Sequence, residues 1–335
     1  MARVARPKPF LDILPGESLF QQACRRGASV AGRNRVVVVA GRAHVRWIRR
    51  QAPWIPPGRM IVEGAGRNTA PSVALAAHWI RAHEGDGVMV VIPSDHQIAP
   101  LAAFRRDIHK AAIVARRDGA LVTIGVPARS ADTSFGYIRP SRVGTRDGVR
   151  HVASFVEKPS PPLARRLAAE SRSLWNSGLF VWKASSILSS LERCSPALAR
   201  DVARTLPARR TGPWRISARA MQRIQAVPID TAVLERADNL FVVGATFEWS
   251  DLGNWNTLGG RLPADRRGNR SLGSVIAIDS SDCVTVDPLG LTALVGVRNL
   301  VVVRKGDVVL VCARDTIHLL RSVQQRLRGR LAAYA

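Results

Sequence analysis

The strongest constraint on the fold is an alternation in the first 130 residues. Short, continuous apolar runs rich in β-branched side chains occupy residues 35–40, 88–92 and 121–126. Runs this short and almost wholly apolar read as strands buried on both faces. Between them the apolar residues fall at helical spacing: Val45 and Ile48; Val73, Ala76, Ala77 and Ile80; Leu101, Phe104, Ile108, Ala111 and Ala115. Ile61-Val62-Glu63 adds a brief strand, and Ser18 can cap an earlier helix over 18–26. Strand and helix in strict alternation predict a parallel, doubly wound sheet.

From Ser134 the rhythm changes. Residues 134–139 and 151–156 read as strands joined by a polar, hairpin-like loop, followed by a helix over 161–171 and an aromatic-rich strand over 174–182. Residues 184–240 read as largely helical, broken at Pro196, Pro207, Pro213 and Pro228, with Asp230 capping a helix that carries Ala232, Val233 and Glu235. A strand at 241–243 leads to Phe247-Glu248-Trp249-Ser250-Asp251-Leu252-Gly253-Asn254-Trp255. Beyond the turn-rich 265–269, five short apolar strands (274–278, 283–286, 292–295, 300–303, 308–311) read as a small all-β appendage, closed by a basic amphipathic helix over 317–330.

A chain of 335 residues accommodates one large α/β domain and a smaller one; the expected division is 1–262 and 263–335. Four scattered cysteines show no zinc or disulfide spacing, which favours a reducing, cytoplasmic setting. No apolar run is long enough to span a bilayer, and the first residues lack the apolar core of a secretory signal. The net charge is +25, and only five of the 50 basic residues are lysine. The arginines are spread along the whole chain rather than gathered among aromatics. A nucleic-acid partner is therefore the weaker reading, and a polyanionic substrate suits the charge as well. A homo-oligomer remains open. Against so much arginine, each retained lysine is a candidate for a compact point charge.

Asp95 follows a strand in Pro93-Ser94-Asp95-His96, where ligands of open α/β sheets sit. Asp251 lies between two tryptophans, just ahead of Gly253. On that stretch alone the plainer reading is a capping aspartate; a magnesium ligand is the other. Two such carboxylates in one cleft would suit a metal held between phosphates. Gly64-Ala65-Gly66-Arg67-Asn68-Thr69 opens a helix with Asn68 or Thr69 as cap, a ready anion or base site or an ordinary capped helix. Glu157-Lys158 is either a surface ion pair or a hydroxyl acceptor beside a phosphate-binding ammonium. Asn176 and Gly178 within a strand suggest a closely approaching polar ligand. Lys8, between Pro7 and Pro9, is expected in a stiff, extended segment.

Six stretches occur in one order: residues 66–71, 93–96, 155–159, 175–180, 229–233 and 249–253. The set resembles the mannose-1-phosphate guanylyltransferases over residues 7–315. The resemblance implies a Rossmann-like, GT-A-like nucleotidyltransferase domain, a mixed sheet flanked by helices, with a small β-helix-like C-terminal domain. It implies GMP transfer from GTP to α-mannose 1-phosphate. By analogy Asp95 and Asp251 would ligate Mg2+, and Lys8 would reach the phosphates. Lys158 would contact the sugar phosphate, with Glu157 and Asn176 on the mannose hydroxyls and Gly136 along the sugar pocket. Gly66, Arg67, Asn68 and Thr69 would line the guanine end. The family's signature also has a first strand and a glycine-rich loop ahead of the lysine, and residues 1–6 do not resemble them. The expected consequence is a sheet lacking a central strand, with unpaired edges on its neighbours. Another sugar-1-phosphate nucleotidyltransferase, or a relative that binds sugar nucleotides with impaired catalysis, remains an alternative.

Overall fold

The computed structural model describes residues 7–10, 17–144, 148–207, 212–251, 262–319, 323 and 326. The chain forms two compact units. The smaller gathers Met1–Leu11, Asp95–Gln97 and Ser250–Ala335; the larger gathers Asp12–Ser94 and Ile98–Trp249.

In chain order the first strands are β1 (Val38–Gly41), β2 (Met60–Glu63), β3 (Val88–Val91), β4 (His96–Ala99), β5 (Leu121–Pro127), β6 (Tyr137–Gly144) and β7 (Val149–Val156). They are followed by β8 (Leu174–Lys183), β9 (Trp214–Ile216), β10 (Leu240–Gly244) and β11 (Glu248–Asp251). The helices are α1 (Leu19–Ala31), α2 (Val45–Gln51), α3 (Thr69–His83), α4 (Leu101–Asp118), α5 (Pro161–Ala169), α6 (Ala184–Cys194), α7 (Pro196–Thr205) and α8 (Ala218–Gln222).

The parallel sheet expected from the alternation is corrected to two sheets, the larger of them mixed, as the family resemblance implied. Strands β1, β2 and β9 make a parallel three-stranded sheet. The second has six strands in the order β3-β8-β5-β10-β7-β6. Only β5 and β10 pair in parallel there; β8 runs antiparallel to both β3 and β5, and β7 to both β10 and β6. The hairpin-like loop of the sequence joins β6 to β7. The consecutive runs β1 and β3 do not pair with each other, and each ends its sheet. This explains why β1, expected to be fully buried, is half-buried along its length.

The core lies on both faces of the six-stranded sheet, and side-chain alternation divides it. From β8, Phe180 and Trp182 join a cluster with Trp79 of α3 and Ile187 and Leu191 of α6. Leu179 and Val181 join the opposite cluster with Phe104, Ile108 and Val114 of α4. Burying each such side chain contributes about 1.5–3 kcal/mol, and two covered faces are why these strands read as unbroken apolar runs.

Local signals place the helices. Ser18 and Gln21 form a reciprocal capping box at α1. Asn68, at φ 66°, caps α3 by accepting the Thr69 N–H. Asp107 of α4 is fully buried and accepts from the Thr246 backbone N–H at 2.6 Å and from its hydroxyl, anchoring the chain between β10 and β11.

Other expectations shift. Lys8–Phe10 is a 3-10 turn rather than an extended segment, closed by the Phe10 N–H on the Pro7 carbonyl. The φ that proline fixes suits a 3-10 turn as well as an extended chain. Residues 184–240 include the short strand β9, and Asp230–Leu234 is a π-helix in which Asp230 is the first residue rather than the cap.

In the smaller unit, β12 (Arg270–Ile278), β13 (Val284–Val295) and β14 (Leu300–Lys305) pair in parallel, and β15 (Val308–Ala313) returns antiparallel. The expected strands at 283–286 and 292–295 are one strand, β13. Its register against β12 slips at Gly273, where a Cβ would lie 1.9 Å from the Asp287 carbonyl oxygen. The described start of the closing helix is a 3-10 turn, Arg314–Leu319; most of the rest of 317–330 lies outside the described residues. Among the described residues no helix is long and apolar enough to cross a membrane.

Candidate active site

The smaller unit brings Lys8, Asp95 and Asp251 together. Asp95 sits in the turn before β4, Asp251 ends β11, and Lys8 opens its 3-10 turn. The Lys8 ammonium lies 3.4 Å from Asp251 Oδ1 and 3.7 Å from Asp95 Oδ2. His96 Nε2 is 3.8 Å from Asp95 Oδ1. These are ion-pair distances, longer than tight charge-assisted hydrogen bonds. The Asp95 and Asp251 side chains are 40% and 32% exposed, so both carboxylates are accessible. Two carboxylates converging on one positive charge fit a hard divalent cation, which takes one or two protein carboxylates and completes its shell with phosphate and water. No group of three or more acidic, histidine or cysteine ligands exists among the described residues, so a metal there needs those outside ligands. Leu252, Gly253, Asn254 and Trp255, on which the capping reading of Asp251 turned, lie outside the described residues.

The larger unit gathers Gly136, Glu157, Lys158 and Asn176. Gly136 precedes β6, Glu157 and Lys158 follow β7, and Asn176 is on β8; pairing of β6 with both β7 and β8 brings them side by side. The Asn176 backbone N–H donates to the Gly136 carbonyl at 2.8 Å. A Cβ on Gly136 would lie 2.5 Å from Glu157 Oε2 and 3.4 Å from Asn176 Cβ, so glycine keeps room beside the carboxylate. Lys158, held at φ 46°, places its ammonium 3.7 Å from Glu157 Oε1. Phe135 packs edge-on against Trp249 and tilted against Trp175, walling this region with aromatics.

Sequence reasoning missed three members of this cluster. Asp230 Oδ1 accepts the Asn176 amide at 2.7 Å, Thr123 Oγ1 donates to Asn176 Oδ1 at 3.1 Å, and Glu235 accepts the Glu157 backbone N–H at 2.9 Å. The signal for Asp230 was an acid set among Ile229, Ala232 and Val233, all of which are buried. Burial pushes the Glu157 carboxyl up to about 7, with Asp230 adding to the rise and Lys158 opposing it. Burial also raises Asp230, partly offset by its own backbone N–H and the Asn176 amide.

At the start of α3 the side chains expected near the base are engaged in structural bonds. The Arg67 guanidinium donates to the carbonyls of Met221 and Gln222, and Thr69 Oγ1 accepts the Ile229 N–H at 2.8 Å. Asn68 is spent on its cap. Gly66 has nothing within 4 Å of where a Cβ would stand, so the backbone is approachable there. The neighbouring Glu63 is buried, accepts the Ser72 hydroxyl at 2.6 Å, and has its carboxyl raised by burial.

Known proteins match the chain along nearly its whole length. The nucleotidyl transferase family matches residues 4–260, and the MannoseP isomerase/GMP-like beta-helix domain matches residues 273–327. The xanthan biosynthesis protein XanB of Xanthomonas campestris is 34% identical over 333 residues, 98% of this chain and 70% of that protein. The mannose-1-phosphate guanylyltransferase of Escherichia coli is 32% identical, over 98% of this chain and 70% of its own length. A crystal structure from Thermus thermophilus, described as a mannose-1-phosphate geranyltransferase, superposes with a TM-score of 0.87 at 29% identity, covering 98% of this chain and 94% of that one. The family match along the transferase region, the β-helix match after it and relatives matched over 98% of this chain converge on one conclusion: the chain belongs to the nucleotidyl transferases, in the mannose-1-phosphate guanylyltransferase family.

Proposed function

We propose that this chain transfers GMP from GTP to α-mannose 1-phosphate. An oxygen of the sugar phosphate forms a bond to the α-phosphorus of GTP. The bond from that phosphorus to the bridging oxygen breaks, and pyrophosphate leaves. The observation that carries the reading is the convergence of Asp95 and Asp251 on Lys8, a charge arrangement suited to phosphates with a metal. Mg2+, held by Asp95 and Asp251, would neutralise charge on the phosphates. Lys8 supplies a compact positive charge for the developing pyrophosphate.

In the larger unit, Lys158 meets the sugar phosphate, while Glu157 and Asn176 take sugar hydroxyls in the room left by Gly136. Gly66 lets the base approach the α3 start. The side chains of Arg67, Asn68 and Thr69 shape that region through the bonds described above rather than by reaching for the base. The extents of the two family matches support a transferase domain over 1–262 and a β domain over 263–335. The unpaired thiols of Cys24, Cys194, Cys283 and Cys312 suit a reducing cytoplasm.

The test is pyrophosphate release with Mg2+ from paired nucleotides and sugar 1-phosphates. GTP with mannose 1-phosphate is expected to exceed every other pair by about tenfold or more in kcat/KM, the discrimination that a few polar contacts give. Faster turnover with another base or hexose would overturn the substrate assignment.

A further inference from the structure

We propose that Asp230 is the positioning residue of the sugar end, fixing the Asn176 amide so that it presents a hydrogen-bond donor beside the Glu157 acceptor. The inference rests on the sugar-phosphate reading above.

The argument is one of hydrogen-bond accounting. An asparagine amide has two N–H donors and an oxygen with two acceptor sites. Both acceptor sites of Asn176 Oδ1 are taken, by the Thr123 hydroxyl at 3.1 Å and the Gly178 N–H at 3.2 Å. One Nδ2 hydrogen goes to Asp230 Oδ1 at 2.7 Å. The remaining capacity is the second Nδ2 hydrogen. Flipping the amide would set oxygen against the Asp230 carboxylate and N–H against the Gly178 N–H, so the orientation is determined. Asp230 is itself held. It opens the π-helix, a feature frequent at functional sites. The segment before it is pinned to α3 by the Ile229 N–H on Thr69 Oγ1 and the Ala70 N–H on the Val227 carbonyl.

The result, next to a glycine that leaves space, is one N–H donor and one carboxylate acceptor. That pair matches sugar hydroxyls, each of which both accepts and donates. Glu157 is faced by Asp230 from the π-helix, by Glu235 just after it and by Lys158 from its own turn.

Two variants separate positioning from mere support. Asp230→Asn removes the charged acceptor and frees Asn176 to flip. The KM for mannose 1-phosphate is expected to rise about tenfold or more, the worth of one hydrogen bond to a charged group, with the KM for GTP within about twofold. The exchange Asp230→Asn with Asn176→Asp rebuilds one N–H···O bond between the two positions but puts an acceptor where the donor stood. It is expected to return Tm toward wild type while KM for the sugar phosphate stays high. An unchanged KM in Asp230→Asn, or an exchange variant that recovers KM together with Tm, would overturn the inference and leave the functional reading intact. If Asp230→Asn does not fold, the exchange variant decides alone. Wild-type chain that neither turns over nor binds mannose 1-phosphate in calorimetry would overturn the reading and the inference together.

Discussion

The two clusters are built in opposite ways. Around Lys8, charged groups meet at 3.4 and 3.7 Å, partly exposed, with no short hydrogen bond joining the three. Around Asn176, contacts are as short as 2.7 Å, the amide oxygen accepts two hydrogen bonds, and Asp230 is largely buried. The first holds charge in readiness for ligands that complete it. The second is fixed before any ligand arrives. Substitutions in the first should therefore act on chemistry with little effect on folding, and those in the second should act on both.

The largest separation is expected from Glu157→Gln. Removing the acceptor should lower kcat/KM for the sugar phosphate by about 100-fold. Stability should move the other way. The folded protein holds the Glu157 proton more tightly than the unfolded chain, because its carboxyl rises from 4.5 to about 7. Stability therefore falls as pH rises through that window, and the cost is complete above about 7. The glutamine variant should match wild type near pH 4 and exceed it by about 1–2 kcal/mol above pH 7, less than the full linkage because solvent screens the partly exposed carboxyl. Denaturation of both proteins across pH checks this, since carboxylates other than the neighbouring Asp230 and Glu235 cancel in the difference.

Gly136→Ala comes next. Its Cβ would stand 2.5 Å from Glu157 Oε2, so the carboxylate must shift. The KM for mannose 1-phosphate should rise by about tenfold, with kcat for GTP turnover less affected. The smallest effect on catalysis is expected from Asp107→Asn, whose hydrogen bonds go to Thr246 and to neither cluster. Asp107 Oδ2 accepts from both the Thr246 N–H and its hydroxyl, and an amide in its place keeps an acceptor but removes the charge that strengthens both bonds. We expect a loss of about 1–3 kcal/mol in stability by denaturant titration, with KM values preserved.

The same contrast accounts for what was legible in the sequence. Strand β5 could be read because burial on both faces writes an almost continuous apolar run, and β8 because aromatic and aliphatic residues dominate it despite Asn176, Ser177 and Gly178. Glu157, Lys158 and Asn176 stood at a strand end or broke a strand pattern, Gly136 came only from the family resemblance, and the four do meet. The role of Asp230 could not be read, because a buried acid and a capping acid look alike until the partner on β8 is known. The division into two sheets was hidden because pairing between distant strands leaves no local mark. β1 and β3 have similar composition but separate neighbours. The fusion of two expected strands into β13 depended on the Gly273 slip, which lets Pro288 and Gly290 sit inside one strand. Arg67 and Thr69 were read by position in a motif, whereas their side chains are spent on the backbone of residues about 155 and 160 positions away.

The most direct test of the central claim is steady-state pyrophosphate release with Mg2+ and mannose 1-phosphate titrated separately, for wild type, Asp251→Asn and Glu157→Gln. Asp251→Asn should weaken the Mg2+ dependence and lower kcat by about 100-fold or more, leaving the KM for mannose 1-phosphate within about twofold. Glu157→Gln should raise that KM and leave the Mg2+ dependence as in wild type. Asp251→Asn with wild-type turnover and unchanged Mg2+ dependence, or two variants that shift both quantities alike, would contradict the division of labour between the clusters.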